Sequence, residues 1–179
     1  MTVGASARGP FSFLAAVVLL LSCPLPGAGQ ERPLEPESPP GWASEGRVVD
    51  DRGLALSTDS SRHRVISLVP SLTETVLAFG GRERLVGRTR YDNDPRIVDV
   101  PSVGGTMNPD LEAILALEPD LVVLFADDDA RGLPERLGDL GIPTYVAESR
   151  SMDDFRRHAK GLGRLLGLDA AADSLVRWV

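Results

Sequence analysis

The sequence predicts an α/β fold, an open parallel sheet with helices on both faces. Three observations carry this reading. Short β-branched runs recur, each followed by a helical pattern, and the connections between them are short. The clearest run, Asp120-Leu121-Val122-Val123-Leu124-Phe125, is apolar on both faces, as a strand covered by helices on two sides must be. Right-handed crossovers then leave the strands parallel, with ligands expected beyond their carboxyl ends.

Val48 to Leu56 holds two short apolar runs around Asp51-Arg52-Gly53 and predicts a small hairpin ahead of the sheet. Arg64 to Pro70 is the first strand. Ser71-Leu72-Thr73-Glu74 has the capping-box pattern, so a helix is expected to start at Ser71 and stop at Gly80 and Gly81. Arg84 to Thr89 makes a second strand that runs into the polar loop Tyr91-Asp92-Asn93-Asp94-Pro95. Asn108-Pro109-Asp110 supplies an N-cap, a proline at the first helical position and a first-turn acid, with Leu111, Ile114 and Leu115 as the apolar face. After the strand at 120–125, Leu133 to Leu140 predicts a helix ended by Gly141, and Ile142 to Ala147 a fourth strand. Ser151 with Asp154 caps a helix carrying Phe155, Leu162, Leu165 and Leu166, softened by Gly161 and Gly163. Asp169 to Val179 starts a further helix, only about 16 Å long within this sequence.

The beginning of the chain has a different character. Phe11 to Leu21 is apolar and well short of the roughly 20 residues that a membrane-spanning helix needs, so residues 1–29 predict a signal peptide and export. Leu20-Leu21-Ser22-Cys23 resembles a bacterial lipobox, in which Cys23 is lipidated; ordinary cleavage after Ala28 or Gly29 is the competing reading. Residues 30–46 are rich in Pro, Glu, Ser and Gly and predict a flexible tether. The folded domain is then expected over 47–168, with 169–179 opening the next helix.

Composition narrows the function classes. The 179 residues are 42% hydrophobic, enough for one domain with a sizeable core, and the formal net charge of −7 gives no footing for a nucleic-acid partner. A single cysteine excludes an internal disulfide and a cysteine-based zinc site. No Walker, Gly-x-Gly-x-x-Gly or Gly-x-Ser-x-Gly motif is present. His63 precedes the first strand and His158 lies inside a helix, so neither stands at the ligand edge as a general base, and no catalytic residue is expected. Asp127-Asp128-Asp129 reads as a solvated loop that caps a helix rather than as a metal site. No metal or cofactor is expected.

Two residues at the ligand edge remain open between bland and functional roles, and a third lies in a helical first turn. Ser71 heads a helix, where backbone N–H groups could meet an anion, or is a plain N-cap. Tyr91, between Arg90 and Asp92, offers a ring and a hydroxyl to a large planar ligand, or is surface. Glu112 lies in a first helical turn away from the apolar face, as an exposed acid that offsets the helix dipole.

Taken in order, the Asp51-x-Gly53 hairpin, Arg64-Val65-Ile66-Ser67-Leu68-Val69-Pro70-Ser71-Leu72-Thr73-Glu74, Leu85-Val86-Gly87, Val103-Gly104-Gly105 and Asn108 to Val122 resemble the helical-backbone class of periplasmic binding proteins. This is the class III family that includes the cobalamin-, siderophore- and haem-binding components of ABC importers. The resemblance implies two α/β lobes joined by one long helix, with this chain supplying the N-terminal lobe. It implies Ser71, Tyr91, Asp92 and Thr106 as ligand-binding residues, Tyr91 standing where cobalamin binders place an aromatic. Thr106 stands where those proteins carry a second aromatic, which leaves the ligand open among cobalamin, ferric siderophores and haem. Glu112 matches the acid that docks on arginines of the permease, a charge-assisted contact. The function so implied is a non-catalytic solute-binding component at the extracytoplasmic face of the membrane, touching the bilayer only through a lipid anchor. Its alternatives are an exported α/β enzyme and a tethered half-domain serving as an interaction module.

Overall fold

A computed structural model describes residues 41–125 and 132–179. Cys23 and Asp127 to Asp129 lie outside these residues.

The chain enters through a three-stranded antiparallel meander, β1 (Ala43–Ser44), β2 (Arg47–Val49) and β3 (Ala55–Ser57). The hairpin expected at 48–56 is β2–β3. Its turn is held by one carboxylate, because Asp50 accepts from the backbone N–H groups of Arg52 at 3.0 Å and Leu54 at 2.9 Å. β1 falls inside the segment expected to be tether. Ala43 pairs with Val48 and is buried, and the half-buried Trp42 ring lies under the Arg164 guanidinium, so order begins ahead of residue 47.

The main sheet has four parallel strands in the order β5-β4-β6-β7, built from β4 (Val65–Ser67), β5 (Leu85–Gly87), β6 (Leu121–Phe125) and β7 (Thr144–Ala147). The helices are α1 (Pro70–Ala78), α2 (Leu111–Ala116), α3 (Leu133–Asp139), α4 (Met152–Leu166) and α5 (Asp169–Trp178). Strand residues alternate between two cores. Val65, Leu121 and Val123 pack with Leu72 and Val76 of α1 and Leu162 and Leu165 of α4. Ile66, Val122 and Leu124 pack with Ile114 of α2 and Leu137 of α3. A strand has a side-chain period of two, so apolar residues at every position require cover on both faces.

Two helix starts differ from expectation. α1 begins at Pro70, with Val69 as N-cap and no side-chain cap. Proline lacks the N–H that would be orphaned at that position, and its fixed φ suits the first turn, so Pro70 starts the helix and leaves Ser71 inside it. α2 begins at Leu111, two residues later than the Asn-Pro signal suggested. Asp110 is its N-cap, accepting from Ala113 N at 3.1 Å, while Pro109 is tied into a bridge with Gly104. The cap expected for α4 is present: Ser151 Oγ accepts from Asp154 N at 3.1 Å.

Candidate functional site

In a parallel sheet each crossover helix starts where its strand ends. The first turns of α1, α2 and α4 therefore lie along the carboxyl edge of the sheet, together with the loops after β4, β5 and β7. Ser71, Tyr91, Asp92, Thr106 and Glu112 all belong to this edge.

The loop after β5 is the most elaborate part. Arg88 directs its guanidinium inward to four backbone carbonyls, those of Ile97 and Val100 at 3.0 Å from Nε, and those of Thr89 at 3.1 Å and Asp92 at 3.0 Å from Nη1. One side chain thus gathers residues 89–100 around itself. The buried Asp92 completes the turn, its Oδ2 accepting from both the N–H and the hydroxyl of Thr89 at 2.7 Å. Asp92 was expected to face a ligand. Its carboxylate instead shapes the turn that presents Tyr91, because an inward carboxylate must be satisfied by nearby donors and Thr89 supplies two.

Tyr91 is 53% exposed, and the Arg90 guanidinium stands over its ring at 5.2 Å. The adjoining edge is formed by residues 102–105, which run beside the end of β5: Arg90 N donates to Gly104 O at 2.8 Å, and Val103 N to Arg88 O at 2.8 Å. Gly105 is pressed against Arg90, since a Cβ there would meet Nη2 at 2.9 Å. These contacts bring Tyr91 into one neighbourhood with Gly105 and the partly exposed Thr106. Further along the loop, the Arg96 guanidinium holds the Asp94 carboxyl down to about 2.

Ser71, the second residue of α1, is exposed; its carbonyl accepts from Thr75 Oγ1 at 2.7 Å. Glu112 is exposed in the first turn of α2. At the other end of the edge, Ser149, Arg150, Ser151, Met152, Phe155 and Val179 line an open cavity of about 660 Å³. The edge thus combines an aromatic ring, guanidinium groups, helix N-termini and an apolar hollow. This set can hold a large, partly apolar solute bearing acidic groups. No cluster of metal-binding side chains occurs among the described residues. Sequence reasoning missed Arg88, since a basic residue after a strand carries no sign of pointing inward.

The sequence profile of the periplasmic binding protein family matches residues 65–179. The chain belongs to this family. An uncharacterized ABC transporter substrate-binding lipoprotein of Bacillus subtilis is 32% identical over 120 residues, covering 64% of this chain and 37% of that protein. A vitamin B12-binding protein of Pectobacterium carotovorum is 33% identical over 92 residues, covering 51% of this chain and 33% of that protein. A periplasmic heme binding protein from Pseudomonas aeruginosa has the same fold at a TM-score of 0.61 and 26% identity, covering 65% of this chain and 42% of that one. The chain therefore spans about a third of the length of these two curated relatives. Family members are solute-binding proteins rather than enzymes, and they act outside the cytoplasm.

Proposed function

We propose that this chain supplies one wall of the solute cleft of an ABC importer and takes a corrinoid, a ferric chelate or haem. The observation that carries the reading is the half-exposed Tyr91 ring at the carboxyl edge, on a turn whose flanking carbonyls Arg88 binds and with the Arg90 guanidinium beside it. A ring presented in this way can stack on a large planar ligand, and the adjacent guanidinium suits an acidic substituent. Ser71 and Thr106 extend the same wall. The B12- and haem-binding names among its relatives support this choice of ligands.

In this reading Glu112 is the permease contact. It is exposed, engages no partner among the described residues, and lies at the cleft edge, where a cationic permease surface would meet it as the solute is released. The N-terminal signal up to Ser22 exports the chain, and Cys23, lipidated as the new N-terminus, tethers it at the extracytoplasmic face.

The test is a thermal-shift and absorbance titration of the chain with cyanocobalamin, hemin and a ferric catecholate, repeated on Tyr91→Ala. A saturable rise in melting temperature with one of the three, weakened about tenfold in Kd by the substitution, is expected. A folded sample that responds to none of them overturns the proposal.

A further inference from the structure

The Val103-Gly104-Gly105 motif holds two glycines for two different reasons. Gly104 has φ +98°, a conformation that a side chain strains, so its backbone requires glycine. Gly105 has no positive φ, and what requires glycine there is space. A Cβ at this buried position would stand 2.9 Å from Arg90 Nη2 and 3.3 Å from both Cζ and Nε, and these are its three nearest atoms. The Arg90 guanidinium therefore lies where any other residue would put its side chain.

This slot holds a cation at the cleft edge. Arg90 N donates to Gly104 O at 2.8 Å, which ties its main chain to the same glycine pair, and the guanidinium stands 5.2 Å from the Tyr91 ring centroid, within cation–π range. Its N–H donors engage no acceptor and no carboxylate among the described residues. Nearby guanidinium groups are occupied: Arg88 by four carbonyls, Arg96 by Asp94, Arg150 by Glu148, and Arg157 by Asp51 and Asp154. Nor do the carboxylates beside it in the loop neutralise Arg90, since Asp92 turns inward to Thr89 and Asp94 is held by Arg96. An unpaired arginine on a surface is ordinary. What sets Arg90 apart is a neighbour left without a side chain to seat it, and a guanidinium seated in advance loses less freedom when it binds.

We infer that Arg90 is the specificity-determining residue that selects solutes with an anionic group at their periphery, and that Gly105 positions it. The inference rests on the proposed function and narrows its substrate class. Haem, through its propionates, and a ferric catecholate, through its negative charge, are favoured over cyanocobalamin, whose corrin edge carries neutral amides. The contact is a charge-assisted one between the guanidinium fork and a carboxylate or phenolate oxygen.

The experiment measures dissociation constants of the full chain for hemin, a ferric catecholate and cyanocobalamin by absorbance titration, with hemin dimethyl ester as the uncharged counterpart of hemin in the same detergent buffer. One of the two acidic solutes is expected to bind at least about tenfold more tightly than cyanocobalamin, and Arg90→Gln to weaken that solute by about tenfold or more. Arg90→Lys, which keeps the charge without the fork, is expected to restore part of the loss. If the solute is hemin, the ester is expected to bind weakly and to be insensitive to Arg90→Gln. Gly105→Ala is expected to weaken the acidic solute too, while the double variant is no weaker than Arg90→Gln alone, because without the guanidinium Gly105 has nothing to seat. Additive losses overturn the role of Gly105. Tightest binding of cyanocobalamin, or an acidic solute held equally well by Arg90→Gln, overturns the selection by Arg90 and leaves the solute-binding reading intact. A folded wild type that binds none of the three removes both.

Discussion

Gly163 of α4 sits so close to Ala172 of α5 that no side chain fits between them. α4 runs unbroken from Met152 to Leu166 through both Gly161 and Gly163. These glycines, expected to soften the helix, are points of close approach instead, one to the Tyr145 hydroxyl and one to α5. In Gly163→Ala the strain of overpacking, about 1–3 kcal/mol, outweighs the roughly 1 kcal/mol gained in helix propensity. Gly138 on α3 has nothing within 4 Å of a Cβ, so Gly138→Ala is expected to stabilise by about 0.5–1 kcal/mol. Urea denaturation of the pair checks the opposite signs.

Asp50→Ala is expected to destabilise by about 2–4 kcal/mol in the same assay. Its buried carboxylate serves the backbone N–H groups of Arg52, Leu54 and Val146, and the substitution leaves them without an acceptor. A cost below 1 kcal/mol would show that the meander is not held to β7 by this group.

The helix starts separate two serines that look alike in sequence. Ser151→Ala removes a true cap and is expected to cost about 1 kcal/mol. Ser71→Ala removes none and is expected to stay within about 0.5 kcal/mol. Thermal melts of the two variants, side by side, test the assignment.

The pH dependence of stability follows from His158 and Asp154. The histidine has a folded pKa below its unfolded value of about 6.5, so its contribution is complete above that pH and declines as pH falls toward the folded value. Arg157 holds the Asp154 carboxyl down to about 2, with Ser151 adding to the effect. Its contribution is present above the ordinary carboxylate value of about 3.9 and is lost as pH falls through about 2. Urea midpoints are therefore expected to be flat from pH 7 to 8 and to decline below about pH 6.5, with the first part of the decline absent in His158→Gln.

Glu112→Ala is expected to leave stability and solute affinity unchanged, since the carboxylate is exposed at a helix terminus, and to impair delivery. Uptake assays with the permease present read this directly; normal uptake by the variant removes Glu112 from the docking surface.

The sequence by itself determined the architecture. Apolar runs such as Leu121 to Phe125 can be buried only between two helical layers, and Gly141 and Ser151 mark boundaries by local chemistry that needs no distant partner. The ordered motifs also led to the family. What the sequence could not settle was the direction of polar side chains. Asp92 turning into its own loop, Arg88 gathering four carbonyls, and His158 meeting Asp51 across more than a hundred residues of chain were decided by the tertiary structure alone. A buried polar group must find its hydrogen-bond partners wherever packing places them, and its own residue type does not say where that will be.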